Sequence, residues 1–148
     1  MGNFGRKIMD MYEGAGLPTL TKSVVQENIN KYAEAARDFN PIHIDLEFAK
    51  KTLAGGTIAH GMLVLAYVSQ MMTDAFGLDW VTGGKMDIRF KAPARPGDTL
   101  TISGQVVRIQ KDEVGKVVRC DITCANQNDE AVVIGNAEVR LSGDQDSG

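Results

Sequence analysis

The sequence predicts an α+β domain in which a curved antiparallel β-sheet wraps around one long buried helix. Three observations carry that prediction. The run from His60 to about Phe76 is apolar on nearly every side, with Met62, Leu63, Val64, Leu65, Ala66, Tyr67, Val68, Met71 and Met72 leaving almost no polar face. A helix of that kind needs other structure around it. The second half of the chain alternates apolar and polar residues in one segment after another, which is the period of half-buried strands. Those segments follow the helix consecutively with turns between them, a pattern that favours an antiparallel sheet.

Taken in order, residues 1–16 are glycine-rich and expected to be flexible, with a short helix around Arg6 to Tyr12. Residues 17–23 alternate and read as a short strand. From 24 to 36, apolar groups at Val25, Ile29, Tyr32, Ala33 and Ala36 recur at helical spacing. Asn40-Pro41 then bars further helix, because the ring removes a donor and pushes the preceding residue toward extended backbone. Asp45 can cap a short helix reaching about Thr52, with Glu47 in its first turn. Gly55-Gly56 makes a bare connection to the buried helix, which Gly77 ends. Strands are expected at 86–90, 100–110, 117–124 and 131–141, with turns at Pro96-Gly97-Asp98, at 113–116 and at 126–130. No repeat or linker divides the 148 residues, so one domain is expected over 1–148, with 143–148 polar and frayed.

Net charge is −3 with the basic residues scattered, which argues against nucleic acid or an anionic membrane as partner. No run approaches the length of a membrane span and the start has no apolar h-region, so a cytoplasmic protein is expected. Cys120 and Cys124, four positions apart on an alternating segment, face the same side of a strand and read as buried thiols, not as a zinc or redox pair.

The chemistry concentrates in two short stretches, Asp38-Phe39-Asn40-Pro41-Ile42-His43 and Ile58-Ala59-His60-Gly61-Met62, which hold both histidines of the chain. A carboxylate and an imidazole brought together by a proline-containing turn can share and polarise one water molecule. Adding water to a polarised double bond, or removing it, requires that. Asn40 is placed to brace the turn and Pro41 to fix its shape. With only two histidines and no cysteine partner near them, no metal is expected.

Asp38-x-Asn40-Pro41-x-His43-x-Asp45 followed by Ala59-His60-Gly61-Met62 resembles the motif of the MaoC-like hydratase and dehydratase family, which includes the (R)-specific enoyl-CoA hydratases. Arg89-Phe90-x-x-Pro93-x-x-Pro96-Gly97-Asp98 is similar to a later sheet segment of that family, and the likeness runs over residues 19–141. The resemblance implies the hot-dog fold, the helix-in-sheet arrangement read above. It implies that Asp38 and His43 hold the water that adds to the β-carbon of a trans-2-enoyl thioester, giving the (R)-3-hydroxyacyl product. The amide of Gly61 would face the thioester carbonyl, and Ser69 would line the site. His60 would be a support that braces the loop or caps the helix. Coenzyme A is the expected carrier and no cofactor is implied. Acyl carrier protein is an alternative carrier; a hot-dog thioesterase and a non-catalytic partner subunit are alternative functions. A homodimer is expected, because a single sheet around one helix leaves an apolar edge and flank. One departure stands out: the family often has Ser-Gly before the aspartate, where this chain has Ala36-Arg37.

Overall fold

Val118, Cys120, Ile122 and Cys124 are buried, while Arg119, Asp121 and Thr123 between them are exposed. That alternation makes the strand containing them one whose inner face packs on a core and whose outer face meets water. The computed structural model describes residues 11–142. In chain order these form β1 (Leu20–Ser23), α1 (Gln26–Ala36), α2 (Pro41–Ile44), α3 (Leu46–Lys50), α4 (Gly61–Phe76), α5 (Leu78–Gly83), β2 (Gly84–Phe90), β3 (Thr99–Lys111), β4 (Lys116–Ala125) and β5 (Ala131–Leu141).

The strands form one antiparallel sheet in the order β1-β3-β4-β5-β2. Register slips between Val106 and Arg108 in β3, a bulge of the kind that bends a strand and strengthens its twist. On the inner face lies α4, whose Val64, Val68, Met71, Met72, Ala75 and Phe76 are buried against residues such as Leu100, Ile102, Cys120 and Val133. This is the hot-dog arrangement. Both cysteines are free thiols in that core, as their spacing predicts.

The structure differs from the sequence reading in four places. Pro41 does not merely stop a helix; it starts α2, sitting at the first position where its missing N–H costs nothing. A further helix, α5, follows Gly77 and was not expected. Helix α4 is not buried all round, since Met62, Ala66 and Gln70 form an exposed stripe along it. The chain just before β1 is tied down: Gly14 N donates to Val106 O, Val106 N to Ala15 O and Leu17 N to Gly104 O. The helix expected around Arg6 to Tyr12 lies outside the described residues apart from its last residues, Met11 and Tyr12, which are not helical. The tail, 143–148, lies outside them entirely.

Candidate active site

Helix α1 delivers the first site residue. It ends at Ala36, and Arg37 takes the left-handed conformation, φ 59° and ψ 37°, which turns the chain out of the helix just before Asp38. Asn40 then caps α2, its side-chain oxygen accepting from Ile42 N at 3.1 Å, while Asn40 N donates to Asp38 Oδ1 at 3.3 Å. With Pro41 at the first helical position, α2 is a single tight turn that carries His43 on its last turn. Asp45 caps α3 as expected, accepting from Phe48 N at 3.1 Å.

His43 Nδ1 lies 2.8 Å from the carbonyl oxygen of Ile58. A carbonyl only accepts, so Nδ1 carries the hydrogen and the neutral ring keeps its lone pair on Nε2. Ile58 N in turn donates to Ile42 O, so α2 and the segment leading into α4 are bonded in both directions. That cross-link brings the second stretch against the first. His60 precedes Gly61, the opening residue of α4, and its ring stacks on that of His43 with centroids 3.8 Å apart and planes 25° apart.

Asp38, His43 and His60 each place a ligand-capable atom within 4.8 Å of the others, with Asp38 exposed, His43 half-buried and His60 buried. A carboxylate and two imidazoles are donors that zinc accepts. The expectation of no metal rested on two histidines without a nearby cysteine; in the fold the Asp38 carboxylate joins them.

At the helix end, the N–H of Gly61 belongs to the first turn of α4, which has no intrahelical acceptor and carries the positive end of the helix dipole. The exposed ring of Phe90 lies beside it, 3.1 Å from where a Cβ on Gly61 would sit. Ser69 lies further along the same helix by about 12 Å of axis. Its hydroxyl accepts from Trp80 Nε1 at 2.8 Å, so the structure joins Ser69 to α5 and separates it along the helix from the Asp38 turn. A cavity of about 400 Å³ lies over α1, lined by residues including Asn30, Phe39 and Ile44. It touches the flank of the site turn, and the polar groups converge elsewhere.

Two supports escaped the sequence reading. Gln26, the first residue of α1, donates from Nε2 to His43 O at 2.8 Å and accepts from Thr57 Oγ1 at 2.7 Å. One side chain thereby holds both stretches of the site. Thr57 is itself a buried polar residue. Tyr32 packs its ring 4.8 Å from that of His60. Their only signal in the sequence is a polar or aromatic residue on or beside the inner face of a short helix or loop.

A family model described as MaoC like domain matches residues 12–127. An (R)-specific enoyl-CoA hydratase of Rhodospirillum rubrum is 28% identical over 132 residues, covering 89% of each chain. A mitochondrial 3-hydroxyacyl-[acyl-carrier-protein] dehydratase of Arabidopsis thaliana is 29% identical over 115 residues, covering 77% of this chain and 68% of that one. Among solved structures, an unliganded R-hydratase from Pseudomonas aeruginosa superimposes with a TM-score of 0.77 at 27% identity, covering 92% of this chain and 85% of that one.

Proposed function

The chain belongs to the MaoC-like domain family, and from that premise we propose that it is a hydro-lyase adding water reversibly to trans-2-enoyl-CoA thioesters to give (R)-3-hydroxyacyl-CoA. The observation that carries the reading is the convergence of Asp38 and His43, within 4.8 Å of one another, beside the open N-terminus of α4.

In this reading Asp38 and the Nε2 lone pair of His43 hold one water. Its oxygen bonds to the β-carbon, and the proton it releases passes to His43 Nε2. The electron pair of the double bond moves toward the thioester oxygen as an enolate, which the Gly61 amide stabilises. Return of the proton from the imidazolium to the α-carbon completes the addition and restores the neutral ring. Asp38 accepts the remaining hydrogen of the water, orients it, and offsets the charge of the imidazolium. No redox change occurs and the carbonyl is polarised by an amide, so the reaction asks for no metal or cofactor.

Coenzyme A as carrier is supported by the R. rubrum relative, and the A. thaliana relative supports acyl carrier protein as a second reading. We further propose a homodimer. Strand β2 ends the sheet with an unpaired edge, and Phe39, Met62 and Phe90 are exposed around the site, where a second copy can cover them. The two free thiols suit a reducing compartment, and we place the chain in the cytoplasm on that ground.

Incubation of the pure protein with crotonyl-CoA tests the reaction by following loss of the enoyl chromophore together with thiol release. Enoyl loss without thiol is expected, and Asp38→Asn or His43→Gln should each lower turnover roughly 10²-fold or more. Thiol release without enoyl loss would mean a thioesterase. Turnover only of crotonyl-loaded carrier protein would move the chain to the second reading.

A further inference from the structure

His60 is 2% exposed and touches every part of the site. Its Nε2 lies 3.2 Å from the main-chain oxygen of Asp38, its ring face stacks on His43, and its own carbonyl carbon is bonded to the Gly61 amide nitrogen. Because the Asp38 oxygen only accepts, Nε2 carries the hydrogen and the neutral ring has its lone pair on Nδ1. That Nδ1 is buried and has no partner among the described residues. A proton there would leave a buried N–H without an acceptor, next to the positive end of α4. In the neutral ring the hydrogen-bond geometry thus selects the Nε2–H tautomer. The titratable groups that face it are Asp38 from the turn, His43 from α2 and Tyr32 from α1.

We infer that His60 is a positioning residue for the hydration: it fixes the Asp38 turn through Nε2–H and sets the plane of the His43 ring by stacking. The inference rests on the hydro-lyase reading and deepens it. The stacking partner matters because His43 becomes an imidazolium during turnover. The His60 ring face, 3.8 Å away and nearly parallel, holds the His43 ring plane while that ring gains and loses its proton. The His60 ring packs against both Tyr32 and His43, so a ring that α1 supports is the one that backs His43.

The chain has only two histidines, so nitrogen NMR of the imidazoles gives two resolvable ring systems. The expected result for the unmodified protein is a hydrogen on Nδ1 of His43 and on Nε2 of His60. The opposite tautomer at either ring would overturn the inference, and this readout does not depend on which thioester is turned over. Two variants separate the contacts. His60→Phe keeps the ring and loses the donor; His60→Gln keeps a donor and loses the stack. Each should lower kcat for crotonyl-CoA by roughly 10-fold or more, with KM little changed and with unaltered affinity for the saturated butyryl-CoA. In both variants the His43 signals should keep the hydrogen on Nδ1, because the Ile58 carbonyl that accepts it is unchanged. Full kcat in either folded variant, or a loss confined to KM, would overturn the assignment. If the wild-type tautomers are as stated but crotonyl-CoA is not consumed, the hydro-lyase reading fails and the placement of the rings stands.

Discussion

A Cβ placed on Gly61 would sit 3.1 Å from Cε1 and Cζ of Phe90. The first residue of α4 and the last of β2 are thus close neighbours, and the Phe90 ring lies beside the place a side chain on residue 61 would take. Phe90 is 53% exposed, so its ring can give way. Gly61→Ala should therefore fold with a stability change of about 1 kcal/mol or less. Turnover should fall roughly 10-fold or more, because the methyl stands where a thioester oxygen must approach the amide. Adding Phe90→Ala should not restore it. Steady-state hydration beside thermal unfolding checks this, and a fully active Gly61→Ala would remove Gly61 from the oxyanion role.

The left-handed backbone of Arg37 accounts for the departure noted in the sequence. Glycine adopts φ 59° without strain and arginine does not, so the position suits the residue common in the family. Arg37→Gly should raise unfolding stability by about 1 kcal/mol, read as a higher urea midpoint at constant slope. A lower midpoint would show that the arginine side chain makes a stabilising contact large enough to offset the strain.

Trp80 is the chain's single tryptophan, and its indole is bonded to Ser69. If Ser69 lines the acyl path, its emission should report occupancy. Butyryl-CoA is expected to shift or quench Trp80 fluorescence saturably, and Ser69→Ala should blue-shift the free protein, because the buried indole N–H loses its acceptor. A spectrum indifferent to ligand in an active enzyme would place Ser69 away from the substrate.

Burial pushes the Cys120 thiol up to about 12, helped by the charge of Asp121, and burial pushes Cys124 up to about 11. Both are raised acids, so the folded state keeps protons that the unfolded state releases. Their contribution to stability is present below about 9 and is lost as pH climbs from there toward 11 and 12. At pH 8 neither thiol should react with an aromatic disulfide reagent until urea unfolds the chain, whereupon two per chain should titrate. Fast modification of the folded protein would contradict the core position of these cysteines.

How much of this was legible depends on how local each cause is. The Asp45 cap, the stop at Gly77 and the inward cysteines each follow from a few adjacent residues, and all were readable. Pro41 was half readable: its ring forbids continuing a helix, but the same fixed φ favours starting one, and which applies depends on the Asn40 cap. Helix α5 has six residues, too few to display a period. The exposed stripe of α4 carries apolar Met62 and Ala66, so the sequence could not separate it from the buried face. At the site, Asp38 and His43 lie on one turn and could be joined by eye. The Thr57 hydroxyl reaches Gln26 across 31 residues, and the His60 ring reaches Asp38 across 22. No spacing announces a contact that only the fold closes, which is why His60 read as a support and Gln26 was not read at all.

The stretch that runs beside β3 ahead of β1 has a consequence for how copies of the chain add to one another. On that side the sheet ends in a four-residue strand, preceded by backbone whose Gly14 and Leu17 amides are already spent on β3, and Ile109 N is taken by the Glu13 carboxylate. Among the described residues β2, at the opposite end of the sheet, is the longer free edge, seven residues against the four of β1. A sheet sticky on two sides can grow without limit; one sticky on a single side stops once that side is matched. Pairing of two β2 edges would leave only the four-residue β1 edges free, a short template for further strand addition.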